Sequence, residues 1–275
     1  MSNAVAMPEK GNVLPHPHLL QKFSQVAPTH HIAPEALPST LTRGLSPQDL
    51  ARISAARPTL CSLEPGESLY YQGDDCHNVY VLQEGWAFRH QILEDGRRQI
   101  LDFALPGTIL GLSGTGTLNH SLETLTPCSF SVFPRERLFD LMRDVPALGF
   151  HLVEIMADAE SRAFEHLTSV GRRTAKERVA HLLLELVMRA HGTSAAAKDG
   201  QMSLPLMLPH VADALGLTSE TVCRALSGMR KERIAVLRGQ KLDILDLKRL
   251  AQAAGVDLTQ AQAPAAPRAG LRIAS

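Results

Sequence analysis

Between Leu63 and Phe133, short apolar runs alternate with turns and never settle into a helical period. The runs are Ser68–Tyr71, Val79–Leu82, Ala87–Leu93, Gln99–Ala104, Thr108–Leu112 and Leu122–Phe133. Pro65-Gly66, Gly73-Asp74, Glu84-Gly85, Asp95-Gly96 and Pro106-Gly107 separate them. Many short strands at even spacing can bury their apolar faces as a closed barrel or double-sheet roll. Asp95-Gly96 between two such runs is a tight-hairpin signal. From Pro146 the period changes. Leu148, Leu152, Ile155, Ala159, Ala163, Leu167 and Val170 step by three or four, the apolar stripe of a long helix over 146–171. A roll that buries its own core leaves this stripe to a partner. A second copy of the same helix is the simplest one, which gives a two-fold homodimer. The competing reading packs the stripe on its own roll.

The remaining segments divide around these two. Residues 1–45 are rich in Pro, Ala, His and Ser and read as a disordered arm. Ser46 can cap a helix with Pro47 at its first position, ending near Ala56. The roll domain spans 46–145. After a break near Gly171, Thr174-Ala175-Lys176-Glu177 is a capping box for a helix that ends near Gly192. Residues 193–203 read as a loop. Short helices at about 209–215 and 218–229 follow, then a hairpin of Ile234–Leu237 and Lys241–Leu245 turning at Gly239. Asp246 can cap a last helix to about Ala254. The C-terminal domain spans 172–258, and an Ala-, Gln- and Pro-rich tail at 259–275 reads as disordered. The class is α+β.

Net charge is formally zero, but residues 1–170 hold 12 Lys and Arg against 19 Asp and Glu. Residues 171–275 hold the other 16 and 9, so the C-terminal part carries +7 and suits a polyanion. With 4% aromatic residues, base stacking on aromatic platforms is a poor main mode of binding. The four cysteines, Cys61, Cys76, Cys128 and Cys223, have no metal-ligand spacing and read as reduced thiols. No apolar window reaches the ~18 residues of a membrane span, and the start lacks a signal-peptide pattern. These features predict a cytoplasmic protein with no membrane partner.

The +7 part contains LGLTSETVCRALSGMRKER at 215–233. Ala212 is small where two helices cross, and Gly216 stands where a helix-turn-helix needs a left-handed turn. Val211, Leu215, Leu217, Val222 and Leu226 can fill the core between the helices. Thr218 can cap the second helix, whose outward face begins with Ser219, Glu220, Cys223 and Arg224. In this motif the first turns of the second helix enter the major groove. There Arg can bond guanine O6 and N7 together, and Glu can accept from a cytosine amino group. Thr218, Thr221, Arg230, Lys231, Arg233, Arg238 and Lys241 flank these positions and suit phosphates, which give affinity without sequence reading. A Glu–Arg pair at this spacing is also an ordinary helix-surface pair, worth ~0.2–0.5 kcal/mol. The turn glycine, the small Ala212 and the basic hairpin favour the DNA reading.

Glu220-Thr221-Val222-Cys223-Arg224 resembles the recognition-helix pattern of the CRP/FNR regulators. Pro65-Gly66-Glu67, Gln72-Gly73-Asp74, Val79–Leu82 and Gly85 resemble the turns and second strand of the cyclic-nucleotide-binding-like roll. The resemblance covers about 46–256. It implies a β-roll, a long dimerisation helix and a winged helix-turn-helix, in that order. The FNR and FixK branch, with Glu-x-x-Ser-Arg, is most similar. It implies an inverted TTGAT-like repeat read by Glu220 and Arg224, with RNA polymerase as a partner of an activator. Cys223 stands where that branch has Ser, and Ser219 where the CRP branch has Arg, so the outer bases are left open.

No cofactor is expected. The family's cAMP pocket uses a Glu and an Arg-Ser pair. Here Leu112 follows Gly111, and no Arg stands near Ser121 in the sequence, so a buried phosphate would lack its cation. Residues 1–60 contain no Cys, which removes the N-terminal ligands of an iron–sulfur cluster. Haem stays open as an alternative: His30, His31, His77, His90 and His120 lie in the sensing part, none in a ligand motif. Cys223, beside Arg224 in the first turns of its helix, is a candidate redox switch. A rival from another class, a cupin-like metal enzyme, needs His and Glu ligands on neighbouring strands. The close pair His16 and His18 falls in the arm instead.

Overall fold

The computed structural model describes residues 45–55, 58–190 and 201–257. The arm up to residue 44, most of the loop expected over 193–203, and the tail lie outside the described residues, as do His16, His18, His30 and His31. The chain forms two compact units that do not follow its order. Among the described residues, one combines those up to 91 with 106–153, and the other combines 92–105 with those from 154 to 257. This division does not coincide with the boundary expected between 145 and 146.

In the first unit, helix α1 (Pro47–Ser54) opens on Ser46, whose hydroxyl accepts the Asp49 amide at 3.1 Å. Strands β1 (Thr59–Leu63), β2 (Ser68–Tyr70), β3 (Asn78–Glu84) and β4 (Ala87–Ile92) follow. After the excursion of β5 (Arg98–Ala104) come β6 (Ile109–Leu110), β7 (Ser121–Thr124) and β8 (Cys128–Pro134). One antiparallel sheet has the order β1-β8-β3-β6, and β7 pairs with both β2 and β4 in another. Val79, Tyr80, Val81 and Leu82 are all buried, because β3 is central and covered on both faces. Leu69, Phe88, Leu122 and Phe130 complete the core. Gly85 turns between β3 and β4 at φ +91°; a Cβ there would collide with the Pro127 carbonyl, so only glycine fits.

The roll differs from expectation in four places. The run Leu122–Phe133 is two strands, because Leu125-Thr126-Pro127 leaves the ladder to follow the Trp86 carbonyl. Thr108–Leu112 shortens to β6, since Gly111 leaves the strand at φ +79°. Strand β1 and helix α2 (Arg135–Asp144) were not legible. In α2 only Leu141 is fully buried.

Helix α3 (Pro146–Arg172) corrects the expected dimer stripe. Leu148 and Leu152 are 3% and 7% exposed within their own chain, against Ile53, Val79, Val81, Ile109, Phe133, Leu138 and Leu141 around a small apolar cavity. Packing on the roll therefore takes these two residues. Ile155, Ala159 and Val170 are half-buried, and of the expected stripe only Ala163 and Leu167 are exposed. A second apolar stripe faces outward: Phe150, Val153, Ala157, Phe164 and Leu167. Its spacing of three and four is the heptad seam of a coiled coil, interrupted by Glu160.

The second unit contains β5, the later turns of α3, α4 (Ala175–Ala190), β9 (Gln201–Ser203), α5 (Leu208–Leu215), α6 (Ser219–Lys231), β10 (Ala235–Arg238), β11 (Lys241–Ile244) and α7 (Leu247–Ala254). The capping box forms at α4: the Glu177 carboxylate accepts the Thr174 amide at 2.7 Å. Val179, Leu182, Leu183 and Leu186 bury the inner face of α4. The wing is a three-stranded sheet of order β10-β11-β9, not a hairpin alone. Met202 of β9 pairs with Leu242 and is buried between exposed Gln201 and Ser203. One apolar residue in three is too short a signal for a strand, which is why that end of the segment read as loop.

Candidate nucleic-acid interface

The helix-turn-helix is built from its turn outward. Helix α5 ends at Gly216 in the left-handed conformation (φ +61°, ψ 39°), and the Leu217 amide donates to the Ala212 carbonyl at 3.0 Å. The Thr218 hydroxyl then accepts the Thr221 amide at 3.2 Å and starts α6. Val211, Ala212 and Leu215 from α5 and Val222, Ala225 and Met229 from α6 are buried. Leu226, expected in this core, is half-buried, and Met229 holds the fully buried place one turn on.

The opposite face of α6 is open. Glu220, Cys223 and Arg224 are exposed, while Ser219 and Thr221 are half-exposed. Glu220 Oε1 and Arg224 Nε stand 3.9 Å apart with side chains 80% and 71% exposed. At that distance and exposure the pair contributes little, so both side chains can leave it for a base edge at small cost. Arg224 Nη2 also reaches the Thr221 hydroxyl at 3.4 Å. Thr218 and Thr221 are thus occupied by the cap and by each other. Arg230 and Lys231 are exposed at the end of α6. Arg238 and Lys241 pair across the wing tip, exposed, with Gly239 turning between them at φ +58°. Arg233 takes φ +55°, the non-glycine residue that turns the chain from α6 into β10. The structure thus gathers the base-reading candidates on one helix face and places the phosphate candidates at its two ends and on the wing.

The roll interior holds a second polar cluster. Tyr70 and Tyr80 are buried with ring centroids 5.9 Å apart, and burial pushes each phenol up to about 12. The Tyr70 hydroxyl and His120 Nε2 stand at 3.1 Å. Cys76 donates to the Gly111 carbonyl, and Ser121 Oγ accepts the Gln72 amide at 3.0 Å. Arg89 faces Leu122 and His90 faces Ser121, so the Arg89 and Ser121 side chains leave opposite faces of the sheet. The Arg89 guanidinium donates to the Ile109 carbonyl at 2.9 Å. Of the histidines, His77 is exposed and His90 is buried against Phe88. Among the described residues, no group of three or more His, Cys, Asp or Glu could hold a metal, and no helix is long and apolar enough to cross a membrane.

A β-roll followed by a winged helix-turn-helix with an open second helix defines a DNA-binding regulator class, and comparison with known proteins agrees. Residues 60–145 match the cyclic nucleotide-binding domain model, and residues 177–253 match the Crp-like helix-turn-helix domain model. The chain is 32% identical over 199 residues to the transcriptional activator protein FnrL of Cereibacter sphaeroides, covering 71% of this chain and 80% of that one. It is 30% identical over 187 residues to the nitrogen fixation regulation protein FixK of Rhizobium meliloti, covering 68% and 82%. The solved structure of FixK2 from Bradyrhizobium japonicum superposes with a TM-score of 0.66 at 31% identity, covering 71% of this chain and 96% of that one. The chain belongs to the CRP/FNR family of transcription regulators. Its relatives are regulators rather than enzymes, which leaves the cupin-like reading without support.

Proposed function

We propose that this protein is a homodimeric, sequence-specific transcription activator that reads an inverted TTGAT-like repeat through Glu220 and Arg224 and touches RNA polymerase. The observation that carries the reading is the two-sided α6: its buried face fixes it to α5, and its first turns offer Glu220, Cys223 and Arg224 unobstructed. The outward heptad stripe of α3 supports a two-fold pairing, and a two-fold dimer suits an inverted repeat. The activator sign draws on the name of the FnrL relative. No cofactor is proposed. Leu112 in place of a Glu after Gly111, and a roll interior filled by Tyr70 and Tyr80, speak against cAMP.

The test is selection of bound sequences from random duplex DNA, under reductant, without ligand, and again with cAMP and with haem. Recovery of an inverted TTGAT-like repeat in the first arm is expected. Enrichment that needs cAMP or haem would sink the cofactor-free reading, and none in any arm would sink the recognition-helix reading.

Cys223 adds a redox expectation. Peroxide oxidises its thiolate to a sulfenate with release of water, placing bulk and polarity on the DNA-facing side of α6. Cys61, Cys76 and Cys128 are buried. Peroxide is therefore expected to lower DNA affinity of the wild type and to spare Cys223→Ser. Equal losses in both proteins, read by gel shift, would remove Cys223 from the account.

A further inference from the structure

Strand β5 lies within the stretch that matches the cyclic nucleotide-binding domain model, yet it packs inside the unit that carries the helix-turn-helix. Ile100, Phe103, Ala104 and Leu105 are buried there. Its polar side chains grip the end of α5. Arg98 Nε donates to Asp213 Oδ2 at 2.9 Å, both side chains about three-quarters buried. Gln99 Nε2 donates to the Ala214 carbonyl at 3.1 Å. The last carbonyls of a helix have no partner within it, so a side chain that takes one fixes the helix end. Arg178 of α4 takes the next, the Leu215 carbonyl, at 3.0 Å. Farther along β5, Asp102 Oδ1 accepts from Arg189 Nη1 of α4 at 2.8 Å, and the same arginine donates to Glu185 Oε1 at 3.0 Å and to the Phe103 carbonyl at 2.6 Å. Burial alone would lower Arg189, but Asp102 and Glu185 more than offset it, so the guanidinium stays charged. Removing one member of such a triad strands the others in a poorly solvated place.

The end of α5 matters because Gly216 and Thr218 follow at once and α6 starts at Ser219. We infer that Arg98, Gln99 and Asp102 of β5 are positioning residues for DNA recognition. They fix the C-terminal end of α5 and the flank of α4, and through them the direction in which α6 presents Glu220 and Arg224. The inference rests on the proposed reading of α6 as the recognition helix. It assigns a strand of the sensor stretch a direct part in DNA affinity, without contact to DNA.

Asp213 separates this from simple electrostatics. Removing a negative charge from a DNA-binding unit ordinarily tightens its hold on phosphate. Loss of a positioning contact weakens it instead. The experiment is a fluorescence-anisotropy titration of the selected duplex over a salt series, with wild type, Arg98→Gln, Asp213→Asn, the reversed pair Arg98→Asp with Asp213→Arg, and Glu220→Ala. Arg98→Gln and Asp213→Asn should each lower affinity roughly fivefold or more, with the wild-type salt slope, and the reversed pair should recover part of the loss. An unchanged affinity in Arg98→Gln, a slope shallower by about one, or tighter binding by Asp213→Asn would overturn the inference. Thermal unfolding accompanies each variant. Should Arg98→Gln fail to fold, Gln99→Ala, which removes one hydrogen bond and no charge, carries the same expectation. Wild type that binds no duplex would overturn the recognition-helix reading as well. Wild type that binds, with Glu220→Ala impaired and Arg98→Gln unimpaired, would overturn this inference alone.

Discussion

Alanine at Glu220 or at Arg224 is expected to weaken binding to the selected repeat roughly fivefold to a hundredfold, and to do so only for that sequence. A good bidentate base contact discriminates by ~1–3 kcal/mol, and each 1.4 kcal/mol is about tenfold. Both side chains are free to make such contacts, because their mutual ion pair is long and solvated. Nothing in the fold needs them: Val222, Ala225 and Met229 hold α6 from the other side. Stability should therefore be unchanged while selectivity collapses at the matching base pairs. Lys241→Ala makes the contrast. It should weaken binding to every sequence alike and reduce the salt slope by about one. Anisotropy titrations on the selected repeat and on a scrambled duplex measure both. Equal losses on the two duplexes for Glu220→Ala would make Glu220 a general contact and not a reader of bases.

Helix α6 was legible in the sequence because every signal for it is local. The left-handed Gly216, the capping Thr218 and the alternation of Val222 and Ala225 with Glu220 and Arg224 lie within one short stretch. The turns of the roll were legible for the same reason. What escaped is what depends on partners far away in the chain. Strand β9 exists because Met202 meets Leu242. The grip of β5 on α5 joins residues more than a hundred positions apart.

Two stripes on α3 make the remaining expectation sharp, since both are apolar and only one faces outward. Asp at Phe164 or at Leu167 is expected to abolish the dimer, and with it cooperative binding to the inverted repeat. Leu167 is 70% exposed and Phe164 61%, so within one copy their replacement loses little burial. In a paired helix each would set two carboxylates into the seam, where desolvation opposes charge. Leu152→Ala should behave in the opposite way. Its side chain is buried against the roll, so truncation should cost ~2–5 kcal/mol of stability and lower Tm while leaving association intact. Glu160 tests the sign from the other direction. It interrupts the heptad between Ala157 and Phe164, where its counterpart would face it across a two-fold axis. Glu160→Leu should therefore tighten the dimer. Sedimentation velocity over a concentration series reads all four variants. A dimer that survived Phe164→Asp and dissociated on Leu152→Ala would place the interface on the inner stripe, and the roll would then have to part from α3 for two copies to pair.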